Sequence, residues 1–142
     1  MRTPQRAILF LCVANSARSQ MAEGLARSLA PEGLRVYSAG SMPADVNPDA
    51  LSVMRELGID ISSQFSKGLA QVPLGEIDTV VTLCAEEVCP ALPGDVQRLH
   101  WPCRDPSAGG GSDEQRLVRF RRVRDAIRAK LIELLNRRNE LV

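Results

Sequence analysis

The sequence predicts an α/β protein in which helices cover both faces of a parallel sheet. Short apolar runs of strand length, such as 7–11 and 78–84, alternate along the chain with segments of helical period. The centre of 78–84 is unbroken in its apolar character, which is typical of a parallel strand buried on both faces. Strands that alternate with helices favour right-handed crossovers. The loops at the carboxyl ends of the strands are then expected to form the site.

The first half of the chain contains two predicted strands, 7–11 and 35–39, and two predicted helices. The first helix spans 18–30. The second begins at Asn47 as the N-cap, with Pro48 at the first helical position. Residues that share an apolar face are Met21, Leu25 and Leu29 in the first helix and Ala50, Leu51, Met54 and Leu57 in the second.

The second half begins with a segment, 59–76, that has no clear pattern, although Ser66 could cap a short helix. Strands are predicted at 78–84 and 96–101. A long helix follows, capped by Ser112 or Asp113. Its predicted apolar face consists of Leu117, Phe120, Val123, Ile127, Leu131 and Leu134, and the arginines between 116 and 138 are expected to form a solvated face.

The bulk composition is that of one ordinary globular domain over residues 1–142. The formal charge of +1 gives no reason to expect nucleic acid or a membrane surface as a partner, and we expect a cytoplasmic protein. In that compartment the 4 cysteines are better suited to catalysis, redox chemistry or metal binding than to structural disulfides.

The segment CVANSARS carries the clearest chemical signal. It joins a strand to a helix N-terminus, where unpaired N–H groups and the helix dipole bind oxyanions. Arg18 can grip a tetrahedral oxyanion bidentately, and the positive field favours the thiolate of Cys12. Ser19 can donate its hydroxyl to that sulfur. The pattern predicts that a sulfur nucleophile attacks a bound oxyanion, which is cradled by Val13, Ala14, Asn15, Ser16, Ala17 and Arg18.

Simpler interpretations exist for each of these residues. Cys12 could be a small buried residue at a strand end, and Arg18 could be a solvated residue of the first helical turn. A positive charge is disfavoured at a helix N-terminus unless an anion is expected there, so the two residues at this spacing favour the functional interpretation.

A second thiol pair, Cys84 and Cys89, lies in the segment TLCAEEVCP. Cys84 ends a strand that is expected to neighbour the first strand, so it could approach Cys12 after loop movement. The pair could instead be one buried cysteine and one incidental cysteine of a loop. Metal binding is a weaker alternative, because Cys-x4-Cys has no second ligand pair here.

Four motifs occur together: CVANSARSQMAEG, YSAG at 37–40, TLC at 82–84 and Asp105-Pro106. In combination they resemble the low-molecular-weight tyrosine phosphatase superfamily, and more closely the arsenate reductases built on that fold. The resemblance runs from the first strand to the last helix. It implies a four-stranded parallel sheet in the order 2-1-3-4.

The resemblance also implies a catalytic relay. The Cys12 thiolate would attack arsenate held by the loop and Arg18, while Asp105 protonates the departing oxygen. Cys84 would attack the Cys12 sulfur and release arsenite, and Cys89 would then attack Cys84. Thioredoxin or another thiol reductant would reduce the resulting disulfide.

Some positions depart from the family pattern. The spacer between the two redox cysteines is shorter than is usual in thioredoxin-linked relatives, which leaves the reductant open. Cys103 is a fourth thiol, which we expect to be a bystander, and His100 is expected to serve packing beside Trp101.

The resemblance also bears on a cation site. Some relatives bind potassium through residues that match Asn15, Glu23 and Ser38, together with an acid. Lys67 takes the place of that acid here, and its ammonium could replace the ion, so no metal is predicted.

Two other functions compete with arsenate reduction. A phosphatase of phosphate monoesters would use Cys12, Arg18 and Asp105, although Gln20 stands where phosphatases usually have proline and Ser107 where they have an aromatic residue. A sensor of oxyanions would not need a general acid. We expect a monomer without a bound cofactor.

Overall fold

The computed structural model describes residues 7–85 and 94–140. Its strands are β1 (Ala7–Cys12), β2 (Arg35–Gly40), β3 (Ile77–Thr82) and β4 (Gln97–His100), and its α-helices are α1 (Arg18–Leu29), α2 (Pro48–Arg55) and α3 (Asp113–Glu140). Two 3-10 turns lie at Leu69–Gln71 and Leu74–Glu76. The strands form one parallel sheet in the order β2-β1-β3-β4, which confirms the predicted fold class and strand order.

The side chains of β1 alternate between two apolar layers. Ile8 and Phe10 belong to the layer that all three described α-helices share, whereas Leu9 and Leu11 face the second layer. Among the described residues, the cover of the second layer includes Leu69 and Val72, at the 3-10 turns, rather than residues of an α-helix. The expected α-helical cover is thus seen on one face of the sheet. β1 is buried between the layers along its whole length, including its carboxyl end at Cys12.

Several predicted boundaries need correction. Asn47 caps α2 as predicted, but the helix ends at Arg55, so Leu57 lies outside the apolar face and is 42% exposed. Ser66 does not cap a helix. β3 ends at Thr82, so Cys84 lies just beyond the strand and not at its last position. His100 is exposed and hydrogen-bonds Thr82 through Nδ1, which is not the packing role predicted for it.

The helix α3 is capped by Ser112, whose Oγ accepts a hydrogen bond from the Gln115 N–H at 3.2 Å. The predicted apolar face is buried at Phe120, Ile127, Leu131 and Leu134, with Leu117 and Val123 partly buried. The arginines of α3 were predicted to form a solvated face, but they do not all point into solvent. Arg124 is buried and donates to the Val53 carbonyl at 2.8 Å, which ties α3 to α2. No helix of the described residues is long and apolar enough to cross a bilayer.

Candidate active site

The loop between β1 and α1 is the centre of the site. Cys12 is the last residue of β1 and is buried, and Arg18 is the first residue of α1. The first turn of α1 contains no acidic residue, and its N-cap, Ala17, makes no side-chain hydrogen bond to the helix. The partial positive charge of the helix N-terminus is therefore available to an anion.

Gly40, the last residue of β2, allows this loop to pack closely. Any Cβ at Gly40 would collide with the carbonyl oxygen of Val13 and lie 2.8 Å from the backbone nitrogen of Asn15. The backbone of the loop therefore rests directly on the end of β2. A glycine is required here because of space and not because of backbone conformation.

Asn15 holds the loop from inside. Its φ of 48° lies in the left-handed region, and its side chain is fully buried. Its Oδ1 accepts from the Lys67 backbone N–H at 3.0 Å, so its Nδ2 must be the donor, which bonds Ser19 Oγ at 2.7 Å and Ser38 Oγ at 2.9 Å. Asparagine tolerates the left-handed conformation better than most residues, which explains its presence here.

Ser19 connects this network to the predicted nucleophile. Its Oγ lies 2.8 Å from Cys12 Sγ. Because Ser19 Oγ already accepts a hydrogen bond from Asn15, its own proton is free to point at the sulfur. The Ser19 hydroxyl can therefore serve as a hydrogen-bond donor to the sulfur.

A buried ion pair lies at the other end of the network. The Ser38 hydroxyl donates to Glu23 Oε1 at 2.5 Å, and Lys67 Nζ lies 3.6 Å from the same oxygen. Arg27 bonds the second carboxylate oxygen at 3.0 Å. Lys67 therefore contributes a positive charge beside the three residues that the resemblance associates with a cation. No group of three or more potential metal ligands occurs among the described residues.

Two glutamines that sequence reasoning did not assign complete the support of the loop. Gln20 Nε2 donates to Asn15 O at 3.0 Å and to Phe65 O at 3.0 Å. Gln64 Nε2 in turn bonds Gln20 Oε1 at 2.8 Å. Gln20 is fully buried, and buried amides require partners. Gln20 could have been noticed as a polar residue within an otherwise buried helical turn. The sequence contains no comparable indication for Gln64.

Arg18 connects the loop to the residues after β4. It is 4% exposed, and its Nη1 donates to the backbone oxygen of Cys103 at 2.9 Å. Cys103 lies two residues before Asp105 in the chain. The residue predicted to hold the oxyanion thus contacts the segment that carries the predicted general acid.

Asp105 lies in a turn and is partly buried. Its Oδ1 accepts hydrogen bonds from the Ser107 N–H at 2.9 Å and the Ser107 hydroxyl at 2.7 Å. A cavity of about 560 Å³ opens beside it. The cavity is lined by Ala85, Arg104, Asp105, Pro106, Ala108, Gly109, Arg119, Arg122 and Val123.

The cysteines differ in state. Cys12 and Cys103 are free thiols, whereas Cys84 is buried and disulfide-bonded. Burial raises the pKa of the Cys103 thiol above its ordinary value, although the positive charges of Arg18 and Lys130 act against this shift. Cys89 lies outside the described residues. The structure thus brings the side chains of Cys12 and Ser19 together, and it directs Arg18 to the segment that carries Asp105.

The comparisons with known proteins agree with this geometry. The chain matches the family of low molecular weight phosphotyrosine protein phosphatases over residues 7–141. It is therefore a member of that family.

Several similar proteins carry the name arsenate reductase. One from Halalkalibacterium halodurans is 48% identical over 125 residues, which cover 87% of this chain and 90% of that protein. One from Bacillus subtilis is 45% identical over 128 residues, which cover 89% of this chain and 92% of that protein.

Two solved structures extend the likeness to the fold. An arsenate reductase in the phosphate-binding state superimposes with a TM-score of 0.80 at 34% identity, covering 94% of this chain and 98% of the other. A thioredoxin-dependent arsenate reductase from Corynebacterium glutamicum gives 0.72 at 31% identity, covering 96% of this chain and 63% of the other.

Proposed function

We propose that this chain reduces arsenate to arsenite through Cys12, Cys84 and Cys89. The observation that carries the proposal is the hydrogen bond between Cys12 and Ser19 at the N-terminus of α1, with Arg18 beside it. A thiolate in this place faces the N–H groups of the loop, where an oxyanion is stabilised. The names of the similar proteins supply the identity of the oxyanion.

The first step is attack of the Cys12 thiolate on the arsenic atom. The loop N–H groups and Arg18 neutralise the charge of arsenate, and Asp105 gives a proton to the departing oxygen, which leaves as water. The product is a covalent sulfur–arsenic adduct on Cys12. Arsenic is still in its higher oxidation state at this point.

The second step transfers the electrons. The Cys84 thiolate attacks the Cys12 sulfur, the sulfur–arsenic bond breaks, and its electron pair remains on arsenic, which leaves as arsenite. Cys89 then attacks Cys84, so that Cys12 returns as a thiolate and a Cys84–Cys89 disulfide remains. The free thiol at Cys12 and the disulfide at Cys84 are consistent with this exchange.

The proposal also covers the reductant, the cofactor, the oligomeric state and the location of the protein. Thioredoxin or another thiol reductant supplies two electrons for each arsenate, and no bound cofactor takes part. The chain acts as a monomer in the cytoplasm, with residues 1–142 as a single domain.

The test is arsenate-dependent oxidation of NADPH through thioredoxin reductase and thioredoxin. We expect wild type to turn over continuously. The Cys89→Ser variant should stop after one equivalent of arsenite, because the Cys12–Cys84 disulfide then has no internal attacker. Cys103→Ser is the matched control, since it removes a thiol without affecting the relay.

Membership of the phosphatase family supports a second function, the hydrolysis of phosphate monoesters through a Cys12 phosphocysteine. This reaction needs Cys12, Arg18 and Asp105 but no second thiol pair. Wild type that is inert toward arsenate with every thiol donor, yet hydrolyses an aryl phosphate, would replace the first proposal by the second.

A further inference from the structure

The segment 103–111, here called the acid loop, carries Asp105 near its start and has a glycine-rich end. Gly109 and Gly111 have φ values of 100° and 106°, in the left-handed region, and Gly110 lies between them. One backbone hydrogen bond within the loop, from Ala108 N to Asp105 O at 3.1 Å, closes the turn. Glycine-rich backbone loses much conformational freedom when it is held in one place, so this loop needs external contacts to keep its shape.

Arg119 of α3 supplies two such contacts. Its Nε donates to the Pro106 carbonyl at 3.2 Å, and its Nη1 donates to the Gly110 carbonyl at 3.1 Å. The rigid guanidinium thereby joins the residue directly after Asp105 to the glycine-rich end of the loop. Arg119 is itself partly buried and stands on the second turn of the long helix.

A second arginine holds the start of the same loop. Arg18 bonds the Cys103 carbonyl, so the acid loop is held on one side by the residue that would bind the oxyanion. Arg119 holds the other side from a different element. Asp105 lies between these two contacts in the chain.

We propose that Arg119 is a positioning residue for the reaction, and that it acts by holding Asp105 where it can protonate the departing oxygen. This inference rests on the proposed function, because it needs Asp105 to act as the acid. Proton donation requires a heavy-atom separation of about 2.6–3.2 Å, so a loop displaced by about 1 Å loses much of the effect.

The experiment measures single-turnover arsenite formation in Arg119→Met and Arg119→Lys. The control is Arg128→Met, which removes the same charge from an exposed position of the same helix. We expect Arg119→Met to lower the rate constant about 10-fold to 100-fold with little change in the half-saturating arsenate concentration, because Asp105 acts in the transition state. Arg119→Lys should recover part of the loss, and Arg128→Met should match wild type.

The decisive comparison repeats the substitution in an Asp105→Asn background. If Arg119 acts through Asp105, then Arg119→Met should cost nothing further there, because coupled residues are not additive. Equal losses in both backgrounds would overturn the proposal and leave Arg119 with a structural role alone. A faster amide exchange at Ala108 without any loss of rate would overturn it as well.

Failure of the proposed function gives a different pattern. In that case wild type forms no arsenite, and the same set of variants is compared on aryl phosphate hydrolysis, which would use the same nucleophile and acid. In phosphate hydrolysis, the decrease in rate caused by Arg119→Met should be larger for substrates with poorer leaving groups, because poor leaving groups depend most on the acid. Wild type that is inert toward both substrates overturns the positioning role too.

Discussion

Asn15 Nδ2 donates a hydrogen bond to Ser19 Oγ at 2.7 Å, and the same hydroxyl oxygen lies 2.8 Å from Cys12 Sγ. The orientation of the Asn15 amide is itself determined, because its oxygen accepts from a backbone N–H, which can only donate. The Ser19 hydroxyl accepts from Asn15 and keeps its own proton available for the sulfur of Cys12. Asn15 therefore holds in place the hydroxyl that lies beside the predicted nucleophile.

Ser19→Ala should weaken the predicted nucleophile, while the Asn15 amide keeps its hydrogen bond to Ser38 Oγ. Removing the donor leaves the thiolate less stabilised, so we expect alkylation of Cys12 by iodoacetamide at neutral pH to slow about 10-fold, since a hydrogen bond to a charged group contributes about 1.5–3 kcal/mol. Ser66→Ala is the control, because that hydroxyl bonds the Asn15 carbonyl and not the sulfur. Equal alkylation rates for wild type and Ser19→Ala would show that the Ser19 hydroxyl does not donate to the sulfur.

The arrangement of the loop after β1 was predictable from sequence because its signal is local. Cys12, Arg18 and Ser19 lie within eight consecutive positions, and a strand and a helix on either side place them. Some supports of the loop come from 64–67, which are distant in sequence. A pattern of helical or strand period gives no information about such contacts. Gln64 and the hydroxyl of Ser66 were missed for this reason, although Lys67 was noticed through the family resemblance.

The arginines of α3 show a second limit of prediction from sequence. Their spacing predicted a solvated face, and charged residues on a long helix usually do point to water. Arg124 is buried instead because the carbonyl of Val53 and the carboxylate of Glu56 offer it partners at 2.8 Å and 2.7 Å. The helical period of a sequence identifies the apolar face of a helix. It does not identify which of the charged residues next to that face will find a buried partner.

Lys67→Met should destabilise the protein by about 2–4 kcal/mol, because it removes one partner of a buried ion pair. The Glu23 side chain is 4% exposed and Lys67 is 10% exposed, so water cannot replace the lost ammonium. Arg27→Met is the matched control. Its side chain is 54% exposed although it bonds the same carboxylate, so we expect a loss of about 1 kcal/mol or less. Urea unfolding at neutral pH measures the free energy of unfolding of both variants. Equal losses in the two variants would show that Lys67 does not compensate the buried charge of Glu23.

Glu56 gives the fold a pH dependence. Hydrogen bonds from Arg121 and Arg124 hold the pKa of its carboxyl below the ordinary 4.5, although desolvation opposes them. A depressed pKa in the folded state means that the stabilisation is present above the unfolded value and is lost as the pH falls through the folded value. Since the side chain is 39% exposed, we expect Glu56→Gln to cost about 1 kcal/mol or less at pH 7.

The Glu56→Gln deficit should shrink as the pH is lowered below 4.5, because wild type then loses the same charge. Thermal unfolding of wild type and Glu56→Gln between pH 7 and pH 3 measures this deficit. Glu114→Gln is the control, since that carboxylate is 79% exposed and lies 3.9 Å from Arg121. A deficit that stays constant over this range would mean that the charge of Glu56 does not stabilise the fold.

Cys103→Ser should leave turnover within about 2-fold of wild type, although Cys103 directly contacts Arg18. The contact uses the backbone oxygen of Cys103, which every substitution at this position retains. The thiol itself points to the Trp101 carbonyl at 3.4 Å, and burial raises its pKa, so it stays protonated at neutral pH and attacks disulfides poorly. The measurement is steady-state arsenate turnover, together with mass spectrometry of the oxidised enzyme after one cycle. A disulfide that joins Cys103 to Cys12, or a loss of more than about 10-fold in Cys103→Ser, would make this thiol a participant in the relay.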